Sequence, residues 1–147
     1  MATIRSFEEL EVWKKARMVS AEIFKATISE SFFKDFGLED QINRASGSIM
    51  DNIAEGFERG GHKEFIQFLS YAKGSAGEVK SQLYPALDRQ HIYQETFQKF
   101  QDQISEIGKM LPGLISYLNK TTVEGTKHLK EPDSHYQALH IEFEEKL

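Results

Sequence analysis

The chain has 147 residues, of which 39% are hydrophobic and 28% charged, a balance that predicts one globular domain with a buried core and excludes a disordered chain. No apolar run approaches the roughly 20 residues that cross a bilayer, residues 1–9 lack the basic start and apolar stretch of a signal peptide, and cysteine is absent, so we expect a cytoplasmic protein with no membrane contact, disulfide or thiolate metal site. The net charge of −5 is uneven: Thr121 to Leu147 hold three Lys against six Asp or Glu, leaving 15 basic and 17 acidic residues in Met1 to Lys120, a near-neutral body that argues against phosphate binding over the whole surface.

Ser6-Phe7-Glu8-Glu9 fits a capping box, in which Ser6 accepts from the backbone of Glu9 and the Glu9 carboxylate reaches back. The helix it opens carries Leu10, Trp13, Ala16, Arg17, Ser20, Ile23 and Phe24 at intervals of three and four. It is expected to fray near Thr27 to Ser31, with Phe32, Phe33 and Phe36 in the connection plugging one end of the fold. Gly37 precedes a second helix, Leu38 to Phe57, whose first turn holds Glu39 and Asp40 at the positive end of its dipole.

Glu58 to Gly61 form a break. A third helix follows over His62 to Arg89, with Phe65, Phe68, Leu69, Ala72, Ala76, Val79, Leu83 and Ala86 on one face and Pro85 signalling a kink or a nearby end. The fourth runs from Gln94 to Asn119 on the stripe Phe97, Phe100, Ile104, Ile107, Leu111, Leu114 and Leu118, with a kink expected at Pro112. Amphipathic helices joined by short loops predict an all-α, antiparallel up-down-up-down four-helix bundle over residues 1–120. Residues 121–147 read as an acidic appendage, with Thr121, Thr122, Gly125 and Pro132 as linker and a short helix over His135 to Lys146 bearing Tyr136, Leu139 and Phe143.

Glycine inside a helix costs about 1 kcal/mol relative to alanine. Gly47 in the second helix and Gly74 and Gly77 in the third, each among small neighbours, are therefore expected to mark a close approach of those two helices. A second pattern lies in the same region. Leu38, Ile42, Ala45, Ile49 and Ile53 make the apolar face of the second helix, and Gln41, Arg44, Ser48, Asn52 and Glu55 form a polar stripe about a quarter turn away. Polar groups bordering a core must satisfy one another or meet a partner. Three readings stay open: an internal network in which Arg44 pairs with Glu55 or another carboxylate and Asn52 bridges helices, a subunit interface, or a ligand site.

No catalytic constellation is visible. Glu55 and Asn52 have no nucleophile or histidine nearby in sequence. The Glu-x-x-His pairs of di-metal bundles do not occur, and the histidines are His62, His91 and, in the tail, His128, His135 and His140. There is no phosphate-binding loop, and Gly56 to Gly61 is a helix break rather than a dinucleotide fingerprint. We expect no enzyme, no cofactor, no metal and no small-molecule substrate.

Phe7, Leu10, Val12 and Trp13, then Gln41-Ile42-x-Arg44-Ala45, then Ser48-Ile49-x-x-Asn52-Ile53-Ala54-Glu55-Gly56, followed by Phe65, Phe68, Leu69, Ala72-Lys73-Gly74-Ser75 and Glu78, resemble the four-helix-bundle family encoded in 23S rRNA intervening sequences, the S23-type proteins. The Asn-Ile-Ala-Glu-Gly run and the later Gly-Ser-x-x-Glu are its specific parts, and the resemblance covers about Ile4 to Leu118. It implies a homopentameric bundle, with Gln41, Arg44, Ser48, Asn52, Glu55, Gly56, Gly74, Ser75 and Glu78 as family positions. A related branch, the accessory variability determinants of diversity-generating retroelements, is implied to bind nucleic acid through a basic surface. The near-neutral body of this chain departs from that branch.

Two functions are carried forward. One is an oligomeric module for RNA or a nucleoprotein, with Arg5, Lys14, Lys15 and Arg17 near the first helix and Arg59 and Lys63 around the second turn as candidate contacts, interleaved with Glu8, Glu9, Glu11 and Glu22. The other is a protein–protein scaffold with no nucleic-acid role, in which the acidic tail recruits or shields a partner.

Overall fold

The computed structural model describes residues 3–121 and 129–131, and the periodic segments of the sequence are helices in it. A 3₁₀ turn at Phe7–Glu9 leads to α1 (Glu11–Thr27), a short α2 (Glu30–Lys34), α3 (Phe36–Glu58), α4 (His62–Asp88) and α5 (Gln94–Lys120). No strand occurs among the described residues. Each long helix packs on the next, and α5 closes the ring against α1. Pairs across the seams fix an antiparallel arrangement throughout: Asn43 reaches Thr27, Ser75 reaches Ser48, Gln101 reaches the Lys80 carbonyl, and Lys99 reaches Glu22. Ile42, Ile49, Ile53, Phe65, Leu69, Leu83, Ile104, Ile107 and Leu111 meet in the centre, fully buried. The chain is thus the expected four-helix bundle, with α2 as an extra turn in the first connection.

The boundaries of α3, α4 and α5 fall within two residues of the expected ones, with α4 ending close after its proline as the sequence signals. α3 begins at Phe36 and takes Gly37 into its first turn, α4 ends three residues after Pro85, and α5 runs through Pro112 to Lys120. On α1 the buried row is Val12, Ala16, Val19, Ile23 and Thr27 with Trp13, while Arg17 and Phe24 point outward. Phe24 follows Ile23 by 100° around the helix, which carries it off the core face. Phe32 alone of the three connection aromatics plugs the bundle, at 1% exposure. Phe33 and Phe36 stand in solvent, their rings edge to face at 6.0 Å.

The expected capping box does not form. Ser6 makes no side-chain cap bond, Phe7–Glu9 is a 3₁₀ turn, and the Glu9 carboxylate accepts the Arg5 N–H at 2.9 Å. The start of α1 is capped instead from the other end of the chain, where Glu131 accepts the Glu11 N–H at 2.8 and 3.0 Å. Leu129 is buried beside it and its carbonyl accepts the Ile4 N–H at 2.7 Å. Part of the C-terminal appendage is therefore seated on the bundle. The linker positions Thr122, Gly125 and Pro132, the helix expected over His135 to Lys146, and His128, His135 and His140 lie outside the described residues.

The close approach of α3 and α4 is real, but it is made elsewhere. A Cβ on Gly56 would lie 2.6 Å from the Phe68 Cβ and 3.1 Å from the Phe65 ring. At Gly47, Gly74 and Gly77 a Cβ would meet nothing within 4 Å. The register explains this: Ser48 and Ser75 face each other across the seam, so Gly47 and Gly74, one residue earlier on each helix, are turned 100° out of the contact.

Candidate functional site

The polar stripe on α3 borders the core, as the helical wheel predicts, but its bonds run differently. Arg44 pairs with Asp40 one turn back at 3.1 Å, and Glu55 pairs with Arg59 one turn on at 2.9 Å. Arg44 and Glu55 are eleven residues apart, about 16 Å along the axis, too far to meet. Asn52 does not bridge helices. Its amide donates to the Ser48 carbonyl at 2.8 Å and to the Ser48 hydroxyl at 2.9 Å. The bridge is Ser75 Oγ donating to Ser48 Oγ at 3.0 Å, so Asn52 sets the position of the acceptor that α4 uses.

Above that bridge lies an open groove of about 490 Å³ between α3 and α4, lined by Gln41, Arg44, Ala45, Ser48, Ser75, Glu78 and Gln82. Past Gln41 and Gln82 it continues into a second hollow of about 340 Å³ bounded by Asp35, Leu38, Pro85 and Arg89. The Gln82 Oε1 is buried there without a hydrogen-bond partner. Five of the nine family positions, Gln41, Arg44, Ser48, Ser75 and Glu78, thus share one face. Of the others, Asn52 holds Ser48 and Glu55 holds Arg59. Gly56 admits the α4 phenylalanines, and Gly74 is open. With an arginine, a glutamate, two hydroxyls and two amides, the face offers donors and acceptors of both signs, which suits a polar protein surface.

The six candidate nucleic-acid contacts lie toward the end of the bundle where α1 begins and α3 turns into α4. Lys14 pairs with Glu11 at 3.1 Å, Lys15 pairs with Glu106 of α5, and Arg59 pairs with Glu55 while resting 5.1 Å above the Phe68 ring. Arg17 lies over the Trp13 ring at 5.8 Å. Arg5 and Lys63 are exposed. Three of the six positive charges are therefore already matched by carboxylates.

At the opposite end is a cluster that sequence reading missed. His91 Nε2 lies 2.9 Å from Asp35 Oδ2, His91 Nδ1 lies 3.2 Å from Ser31 Oγ, and Arg89 Nη1 donates to the same Asp35 oxygen at 2.8 Å. Phe32 stacks on the imidazole with ring centres 4.9 Å apart. The hydrogen bonds from His91 and then Arg89 hold the Asp35 carboxyl below the usual range. The cluster clasps the first connection to the α4–α5 turn. Some 55 residues separate its halves, so no local pattern announces it.

Among the described residues no group of three or more His, Asp or Glu is arranged to hold a metal ion, and no helix is long and apolar enough to cross a membrane. The profile of the 23S rRNA-intervening sequence protein family matches residues 8–113. Among solved structures, the chain is similar to a protein with unknown function from the S23 ribosomal protein family of Bacteroides thetaiotaomicron. The two are 27% identical with a TM-score of 0.65, over 75% of this chain and 99% of that one. No curated protein matches the chain.

Proposed function

We propose that this chain, which belongs to the 23S rRNA-intervening sequence protein family, acts without catalysis, as a bundle that assembles with copies of itself through the α3–α4 face. The observation that carries this reading is the set of glycines on that face. Gly47 and Gly74 flank the Ser48–Ser75 bridge, and a Cβ on either would meet nothing in the same chain. Each gives up about 1 kcal/mol of helix stability relative to alanine. Contacts within the bundle do not require the loss, whereas close approach of a second backbone does. The groove beside them supplies the polar complement, with Arg44 and Glu78 as opposite charges and the orphaned Gln82 oxygen as an acceptor to be filled.

The homopentamer implied by the family resemblance is the assembly to test for. Light scattering on the purified protein should give about five times the 16.9 kDa chain mass. Gly74→Leu should reduce that mass to one chain while leaving the helical spectrum intact, because the added side chain clashes only between molecules. A wild-type protein that runs as a single chain, or a Gly74→Leu variant that assembles normally, would overturn the reading. An assembled bundle repeats every surface patch, so a modest site on each chain gains through avidity. RNA or a nucleoprotein is the partner such repetition favours.

A further inference from the structure

We propose that the seam between α4 and α5 binds single-stranded nucleic acid, with Lys73 and Lys80 on the phosphate backbone and Tyr84 against a base. The seam opens into a groove of about 420 Å³ that includes Lys73 on one wall and Asn119 and Lys120 on the other, and no acidic residue lines it. Lys80 lies further along the same seam, since its carbonyl accepts from the Gln101 side chain of α5 at 2.9 Å. Seven residues separate the two lysines, which puts them on one face about 10.5 Å apart. Tyr84 is one turn beyond Lys80. It leans edge to face on Phe97 of α5 at 5.1 Å and keeps 56% of its surface exposed, so one side of the ring is anchored while the rest is open to a base.

Lys73 and Lys80 form no ion pair among the described residues, and they share one file along the seam. Lys14, Lys15, Lys99, Arg44, Arg59 and Arg89 each hold a carboxylate. The positions three and four away from Lys73 and Lys80 on α4 are Leu69, Ser70, Ala76, Gly77, Leu83 and Tyr84, none of them acidic. A chain of net charge −5 has thus left two positive charges bare in one file. The walls between them are low. A Cβ on Gly77, or on Gly108 of α5, would meet nothing within 4 Å, so a backbone can lie close. Ser70 gives its proton to the Ile66 carbonyl and offers no donor, which leaves the lysines and the Asn119 amide to meet phosphates. A single file of cations ending in an accessible aromatic matches a strand whose bases are free to stack, not a duplex. The seam borders the assembly face, since Gly74 and Gly77 are three residues apart on α4, and the proposal rests on the reading of RNA as the partner.

The test is fluorescence anisotropy of the full chain with a labelled mixed-sequence ribo-oligonucleotide, across a salt series. Binding should weaken with salt with a log–log slope of about −1.4 per chain for two single-strand phosphate contacts. Lys73→Glu with Lys80→Glu should weaken binding at least about tenfold at low salt while leaving the circular dichroism unchanged, since both side chains are exposed. Tyr84→Ala should weaken binding with the salt slope unchanged. No binding at low salt, full binding by the double lysine variant, or equal binding of a duplex would overturn the proposal. So would a glutamate-rich peptide that competes as well as unlabelled oligonucleotide, because the seam would then be a site for acidic protein.

Discussion

The carboxylate of Glu131 accepts the backbone N–H of Glu11 through both oxygens, at 2.8 and 3.0 Å. The first N–H groups of a helix have no partner within it, and a side-chain acceptor there stabilises by about 0.5–2 kcal/mol. Glu131→Ala should therefore lower the melting temperature by roughly 4 °C. Leu129, buried two residues earlier, holds the same short strap in place. Once either anchor is lost the strap can peel away, so Leu129→Ala combined with Glu131→Ala should cost little more than the worse single change. A melting-temperature loss equal to the sum of the two single losses would show that the strap is not one unit.

The same residue gives a pH signature. Burial pushes the Glu131 carboxyl up, with the Glu11 charge adding to this, and outweighs the hydrogen bonds from Glu11 and Val12 and the nearby Lys14. A group whose pKa is higher in the folded chain stabilises it fully below the ordinary glutamate value and loses that contribution as pH rises through the raised value. Glu131→Gln keeps an acceptor and never ionises. It should match wild type in acid and become the more stable protein as pH climbs toward neutrality, as read from melting temperatures at a series of pH values. A difference that is flat with pH would mean the carboxyl is not shifted upward.

Gly56 and Gly37 make opposite predictions for the same substitution. Alanine at 56 puts a methyl group 2.6 Å from the Phe68 Cβ, which sits on backbone that cannot yield cheaply, so Gly56→Ala should destabilise by about 1–3 kcal/mol in urea unfolding. At Gly37 nothing lies within 4 Å, and Gly37→Ala should gain up to about 1 kcal/mol from helix propensity. If both changes moved stability in one direction, packing against the α4 phenylalanines would not be what demands glycine at 56.

What the sequence reveals and hides follows from distance along the chain. The four long helices are legible because Ile42, Ile49 and Ile53, or Phe65, Leu69 and Ala72, repeat within a few residues, and a period of 3.6 is a local property. The α1 cap is not legible. Ser6 and Glu9 form a good local pattern, yet Glu131, 120 residues from Glu11, takes the helix end. The polar stripe on α3 is visible as a stripe, and Asp40, four residues before Arg44, is within local reach; what stays hidden is the Ser75–Ser48 bridge, which depends on the register of α4 on α3. The glycines show the same limit. Small neighbours mark Gly47, Gly74 and Gly77, and only the register of α3 on α4 shows that Gly56 is the buried one.

The Asp35 clasp supplies an acid-side prediction of the opposite sign to Glu131. Hydrogen bonds from His91 and Arg89 hold the Asp35 carboxyl below its ordinary value, so its contribution to stability is present above that value and is lost as pH falls through the lowered one. Asp35→Asn should destabilise the protein at neutral pH and converge on wild type in strong acid. The two carboxylates anchor different ends of the bundle, so their effects should add when Asp35→Asn is combined with Glu131→Gln. At neutral pH the double variant should then fall between the two single variants, with Asp35→Asn the less stable of them and Glu131→Gln the more stable. Equal melting curves for Asp35→Asn and wild type from neutrality to acid would show that His91 and Arg89 contribute nothing through Asp35, leaving Phe32 and the Ser31–His91 contact to hold the first connection.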